Sequence, residues 1–420
     1  MAGEVSFTCT LSKDVVPALN QPQLAYALLE IAPMGVMANV RMPLNFGLVL
    51  DRSGSMAGDK IKRLRDAVSQ IVDRLEPGDY ISVVAFDRST KVLVPSQTAQ
   101  DREGIKRQAT RLNAGSTTEI ASALRAGLAE VRKQWALQRT NRLVLLTDGH
   151  PTDEAADSIQ MAEAASSEGV PIIALGLGDD WNETFLQEIA GRSGPQGTVH
   201  YIATPQDTDR IFDDVWQQMQ IVARDVTLTL RLVQGVNPRK VWQVTPFIKD
   251  LGYSPLSDRF ISVPLGDLEQ QGMAVLAELS LMPHAPGRYR MAQAEASYSV
   301  PARNLTGETV RTDLVVTMSP DYYAAQAVNP KVMSVVERVT AFNLQTRALE
   351  EAQMGNAIGA TQKLRSAVTI LLGQEDAASL DLAHTLQSEL DRLQQGGQLS
   401  EEGKRTIKFE SRKTVKLSDL

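Results

Sequence analysis

The segment Asp51-Arg52-Ser53-Gly54-Ser55, set at the end of the apolar run Phe46-Gly47-Leu48-Val49-Leu50, constrains this chain more than any other feature. It puts one carboxylate and two hydroxyls on a tight strand-to-helix turn. The donors are all oxygen, with no nitrogen or sulfur, and such a set suits a hard divalent cation. A second apolar run, Leu143-Val144-Leu145-Leu146, ends in Thr147-Asp148-Gly149 and delivers another carboxylate at a strand's C-terminal edge. Parallel strands bring their C-terminal ends together, so the two carboxylates can share one ion. Between them Gly115-Ser116-Thr117-Thr118, ahead of the helical stretch from Ile120 to Val131, supplies a third oxygen-rich loop.

From Leu44 to Val222 strand and helix signals alternate, as a doubly wound α/β fold requires. Strands are expected at Asn45–Leu50, Tyr80–Phe86, Leu143–Thr147, Pro171–Leu177 and His200–Ile202, with Lys91–Pro95 as an antiparallel edge. Helices are expected at Ala57–Leu75, Arg102–Leu112, Ile120–Trp135, Asp153–Glu168, Glu183–Ala190 and Thr208–Val222. Pro77-Gly78-Asp79 marks the turn between the first helix and the second strand.

The three loops, in this order, resemble the metal-ion-dependent adhesion site of von Willebrand factor type A domains, in a prokaryotic cytoplasmic setting. Residue by residue, Asp51, Ser53 and Ser55 match the first motif, Thr117 the lone threonine and Asp148 the last aspartate. The middle loop departs from the family pattern, because Thr118-Glu119 stands between Thr117 and the next helix. The resemblance spans about Arg41 to Val222 and implies a Rossmann-like domain. The plainer alternative is that Asp51 and the serines only cap a helix.

Such a site favours binding over catalysis. Neutral hydroxyls leave the cation's charge poorly compensated, and the resemblance implies that the two carboxylates act largely through water. An open coordination position would then take an Asp or Glu of a protein partner, completing the octahedron that Mg²⁺ demands. Mg²⁺ or Mn²⁺ is the expected ion, with Ca²⁺ less suited. The function expected is a scaffold or adaptor in a signalling or ATPase-linked assembly. The alternative is a metal-assisted hydrolase in which the same cation activates water. No Ser/His/Asp or Cys/His set stands out among the four histidines, at 150, 200, 284 and 384, and His150 reads as a hydrogen-bonding neighbour of the site.

A chain of 420 residues with net charge −7 suggests several domains and disfavours nucleic acid. The start Met-Ala-Gly-Glu-Val-Ser-Phe has no basic, apolar leader, and no run reaches the ~18 apolar residues of a membrane helix. The expectation is a cytoplasmic protein without membrane contact. Cys9, alone and within the alternating Val5–Leu11, reads as a strand residue.

The flanks differ in kind from the middle. After Arg224 period-two runs appear at Asp225–Val233, Val241–Thr245, Phe260–Pro264, Met273–Met282, Tyr289–Val300 and Asp313–Met318, the signature of an antiparallel β-sandwich. Val5–Leu11 and Ala25–Ile31 have the same character. Residues 1–40 and 223–320 are therefore expected to form one sandwich into which domain 41–222 is inserted. Residues 321–397 read as a helical hairpin or small bundle, with helices at Pro330–Met354, Asn356–Leu372 and Asp376–Gln395, and Gln394-Gln395-Gly396-Gly397 is expected to end regular structure.

In the tail, 398–420, Arg405-Thr406-Ile407-Lys408-Phe409 and Lys413-Thr414-Val415-Lys416-Leu417 repeat one pattern. Two edge strands or a hairpin is one reading. The other makes Thr406 and Thr414 candidate phospho-acceptors for a kinase, recognised once modified by a phosphopeptide-binding module.

Overall fold

The computed structural model describes every residue except 1–3, 36, 38–40, 116–117, 149–154, 178–180, 195, 203–204, 258, 375 and 413–420. In chain order the elements are β1 (Val5–Leu11), β2 (Val15–Pro17), β3 (Gln23–Pro33), β4 (Leu44–Asp51), α1 (Asp59–Arg74), β5 (Tyr80–Phe86), β6 (Thr90–Thr98), α2 (Arg102–Ala109) and α3 (Ile120–Arg132). Next come β7 (Thr140–Thr147), α4 (Ala155–Ser167), β8 (Ile172–Leu177), α5 (Glu183–Arg192), β9 (Thr198–Ile202) and α6 (Pro205–Met219). The strands β10 (Ile221–Leu232), β11 (Val236–Thr245), β12 (Lys249–Asp250), β13 (Ser254–Ser257), β14 (Phe260–Glu269), β15 (Met273–Leu281), β16 (Gly287–Val300) and β17 (Leu305–Ser319) follow. Four helices close the order: α7 (Pro330–Gln353), α8 (Ala357–Leu372), α9 (Ala377–Gln394) and α10 (Glu401–Phe409). The chain divides into two compact units, one of residues 39–224 with 300–305 and one of 1–38, 225–299 and 306–420.

The first unit is a six-stranded sheet in the order β6-β5-β4-β7-β8-β9, parallel throughout except for the β5–β6 edge pair. Every residue of β4 and β7 is buried, because helices cover both faces of the sheet, and this is why these strands read as unbroken apolar runs. Leu44, Phe46, Leu48 and Leu50 of β4 join one core with Leu64 and Val68 of α1 and with Phe212 and Val215 of α6. On the opposite face α3 lies so close that a Cβ on Gly127 would stand 2.6 Å from Val49 Cγ2. Only a residue without a side chain allows that approach.

The turn at Pro77-Gly78-Asp79 also anchors the start of β4. Asp79 is buried, accepts both arms of the Arg41 guanidinium at 2.9 and 2.8 Å, and accepts the backbone N–H groups of Leu44 and Glu76 at 2.8 Å each. The last helix ends earlier than its apolar pattern suggests. Helix α6 stops at Met219, and Val222 lies in β10, where the Ile221 carbonyl already accepts the Met42 N–H at 3.2 Å. Ile221-Val222-Ala223 satisfies a helical or a strand pattern equally, and the pairing partner decides it.

In the second unit β1, β3, β15, β11 and β12 form one sheet and β13, β14, β10, β16, β17 and β2 another. The N-terminal strands pair with later ones: β3 runs antiparallel to β15 with Leu29 opposite Val275. Pairing is not antiparallel throughout, since β2 lies parallel to β17. Strands as short as β2 and β12 carry too few residues for a period to be read, and their partners alone define them.

The helical region is a small bundle, of which the two-helix hairpin is only a part. Val332, Val335, Val339 and Phe342, in the first half of α7, pack on Leu28, Trp242 and Leu276 of the first of these sheets. Ala348 and Leu349 in its second half pack instead with α8, α9 and α10. Regular structure does not end at Gly397. Gly396 takes φ +80°, the chain turns, and Ser400 starts α10 by accepting the Gly403 N–H at 2.8 Å. Residues 405–409 are therefore helical rather than an edge strand or hairpin, with Ile407 buried in the bundle core. Basic, Thr, β-branched, Lys, apolar is compatible with either period over five residues, and the burial of Ile407 selects the helix. Thr406 lies half-buried on α10, and Thr414 is outside the described residues. Among the described residues no helix is long and apolar enough to cross a membrane.

Candidate metal centre

Strand order reverses between β4 and β7. From β4 the chain crosses to β5 on one side, and β7 leads to β8 and β9 on the other, which leaves a crevice above the C-terminal ends of the two central strands. Asp51 is the last residue of β4 and Asp148 follows the last residue of β7, so the fold brings the two expected carboxylates to one place. Both are buried.

A continuous run of oxygens joins them. The Asp51 carboxylate accepts the Ser53 N–H at 2.7 Å and the Thr147 hydroxyl at 2.5 Å. Ser53 Oγ and Ser55 Oγ lie 3.0 Å apart, and the Ser55 hydroxyl donates to Asp148 Oδ1 at 2.7 Å. Ser53 makes no side-chain cap at the helical turn that follows, so its hydroxyl is engaged with the Ser55 hydroxyl rather than with the backbone of that turn. Burial pushes the Asp51 carboxyl above its ordinary range; hydrogen bonds from Thr147 and Ser53 oppose the rise and the Asp148 charge adds to it. A positive charge placed among these oxygens would relieve both the desolvation and the repulsion.

The middle loop is held at one end by the first loop and at the other by the turn between β5 and β6. Gly115 N–H donates to the Arg52 carbonyl at 2.5 Å and Glu119 N–H to the Asp87 carbonyl at 3.1 Å. Arg52 turns away from the oxygens and pairs with Asp87 at 3.1 Å. A Cβ on Gly115 would sit 2.0 Å from Asp87 Oδ2, so the loop can close only with glycine there. Thr118 is buried, whereas Thr117, the threonine of the motif, and His150 lie outside the described residues. Asp87, whose side chain also accepts the Ser89 N–H and hydroxyl at 2.8 and 2.9 Å, is a loop organiser that sequence reasoning missed.

Lys60 was missed as well. It stands in the first turn of α1, and its ammonium pairs with Asp148 Oδ2. One signal was available in the sequence, because a base in the first turn of a helix opposes the helix dipole and needs a nearby acid. Asp51, Ser53, Ser55 and Asp148 thus offer an all-oxygen set of the kind that a hard cation takes, with a lysine ammonium as the positive charge beside it. Among the described residues no group of three or more His, Cys, Asp and Glu could hold a metal ion, and the described oxygens that accompany the two carboxylates are the Ser53 and Ser55 hydroxyls.

Residues 45–214 match the von Willebrand factor type A domain, and residues 330–417 match the Sll0103-like, C-terminal alpha-helical domain. The uncharacterised protein sll0103 of Synechocystis sp. is 29% identical over 383 residues, which cover 89% of each chain. The solved structure of a von Willebrand factor type A protein from Catenulispora acidiphila superposes with TM-score 0.73 at 20% identity, over 98% of this chain and 97% of that one. The ArnB paralog VWA2 from Sulfolobus acidocaldarius gives TM-score 0.56 at 17% identity, over 98% of this chain and all of the other. At these identities the two structures speak to the fold alone.

Proposed function

Because residues 45–214 of this chain form a von Willebrand factor type A domain, we propose that the protein is a non-catalytic adaptor that grips an acidic side chain of a partner protein through a Mg²⁺ or Mn²⁺ ion at Asp51, Ser53, Ser55, Thr117 and Asp148. Domains of this family commonly mediate protein–protein interaction. The observation that carries the reading is the oxygen array itself, in which two buried carboxylates are joined through two serine hydroxyls at the strand switch point. Three of the five donors, the Ser53, Ser55 and Thr117 hydroxyls, bring no charge, so a bound cation keeps its attraction for a further carboxylate. That chemistry suits capture of an Asp or Glu.

The pairing of β3 with β15 supports reading the flanking strands as one β-sandwich into which the metal-binding domain is inserted. The sandwich and helical bundle would present the domain within a signalling or ATPase-linked assembly, and modification of Thr406 or Thr414 by a kinase would add a second, phosphopeptide-type contact. Immobilised full-length protein should capture a partner in Mg²⁺, release it in chelator, and lose it altogether as Asp148→Ala. An identical set of bound proteins with chelator present would refute the adaptor reading.

A further inference from the structure

We propose that Lys60 is a tethered competitor for the cation: its ammonium neutralises Asp148 while the site is empty of metal and has to leave it when a divalent ion arrives. The inference rests on the metal-site reading above. Asp148 has a fully buried side chain and two oxygens, one occupied by the Ser55 hydroxyl at 2.7 Å and the other by Lys60 Nζ. A cation that joins Asp51, Ser53, Ser55 and Asp148 lies within a few ångströms of that ammonium, where like charges repel strongly. One of the two must yield.

Lys60 is built to be the one that moves. Its side chain is 32% exposed, so the ammonium can reach water by rotating its four-carbon stem, whereas the Asp148 side chain is 0% exposed. Its place in the first turn of α1 opposes the helix dipole, so the helix itself favours the departure. The neighbouring charges reinforce this. Asp59, beside it on the same turn, pairs with Lys62 at 3.0 Å and leaves Asp148 as the acid that holds Lys60. The consequence is a site that is stable without metal and binds it more weakly than its oxygens alone would, so occupancy follows the supply of cation or of an acidic partner that adds its own charge.

A purely structural lysine and a competing one differ in the sign of their effects. Full-length wild type, Lys60→Met and Lys60→Arg are titrated with Mn²⁺ alone, free ion being read by electron paramagnetic resonance, and their melting temperatures are measured in chelator. Competition predicts that Lys60→Met binds Mn²⁺ roughly ten- to a hundredfold more tightly while melting lower in chelator, and that Lys60→Arg stays close to wild type in both. If Lys60→Met does not fold without metal, Lys60→Gln carries the same expectation. Unchanged or weaker Mn²⁺ affinity in the uncharged variant, with wild type binding normally, overturns the competitor and leaves the metal site standing. Absence of binding in every variant overturns both.

Discussion

Asp148, at the strand ends of the α/β unit, and Glu389, in the helical bundle, are both buried carboxylates, and they are satisfied in opposite ways. Glu389 accepts the Ser400 N–H at 2.7 Å and the Ser400 hydroxyl at 2.5 Å, both on the turn that starts α10. Its partners are a backbone group and the cap of a helix, and a side chain on Gly403 would meet its carboxylate at 2.3 Å. No ligand could enter without undoing that helix start. Among the described residues Asp148 is held by one hydroxyl and one ammonium on a flexible stem, both replaceable without breaking a backbone hydrogen bond. A buried acid committed to main-chain donors builds the fold, and one committed to mobile side chains is free to bind something else.

Asp79 gives the sharpest form of this contrast, because it holds two backbone N–H groups and both arms of Arg41. Removing one partner of a buried, hydrogen-bonded ion pair costs about 3–5 kcal/mol. Asp79→Ala should therefore bring the α/β unit close to unfolding, seen as loss of amide-exchange protection across β4 and β5. Glu389→Ala leaves the half-buried Ser400 donors without their carboxylate at a cost of about 1 kcal/mol, and exchange should accelerate in α10 before it does in α8. Asp148→Ala, measured in chelator, should lie within about 1 kcal/mol of wild type, since it frees Lys60 to reach water and relieves repulsion with Asp51. A large loss there would erase the distinction between the two kinds of acid.

A smaller effect concerns acid stability of the bundle. Asp376 caps α9 and pairs with Arg338 at 2.5 Å. Burial alone would raise its pKa, but hydrogen bonds from Ser379 and the Arg338 charge outweigh it and hold the carboxyl below its ordinary value. With the folded pKa depressed, the stabilisation is present above the unfolded pKa of about 3.9 and is lost as pH falls through the folded value. The melting temperature of the bundle should thus drop below about pH 4, and Asp376→Asn, which keeps a cap without the charge, should flatten that dependence.

The difference between the regions also explains what could be read in advance. Strands such as Tyr80–Phe86 stand where their apolar runs put them, because burial on both faces leaves no other place for such runs. Asp51 and Asp148 could be brought together on paper because parallel strands share an edge. Lys60 could be set in the first turn of a helix but not beside its acid, which lies 88 residues along the sequence, and the pairing of Asp87 with Arg52 joins two strand ends that no local pattern connects. The C-terminal helix was hidden for a related reason: Thr406-Ile407-Lys408 fits strand or helix, and the deciding fact is that Ile407 meets the α7–α9 core. Local pattern identified elements that are buried by their own composition. It failed where a single distant contact chooses between two periods.

If the oxygens between β4 and β7 form a site for a hard divalent cation, calorimetric titration of Mg²⁺ into wild type, Asp51→Ala and Asp148→Ala will separate the three chains. Wild type should show saturable one-to-one binding and neither variant a measurable heat of binding, with all three chains giving the same circular dichroism spectrum. Mg²⁺ binding of unchanged affinity in both variants, or none in wild type, would contradict a cation site there.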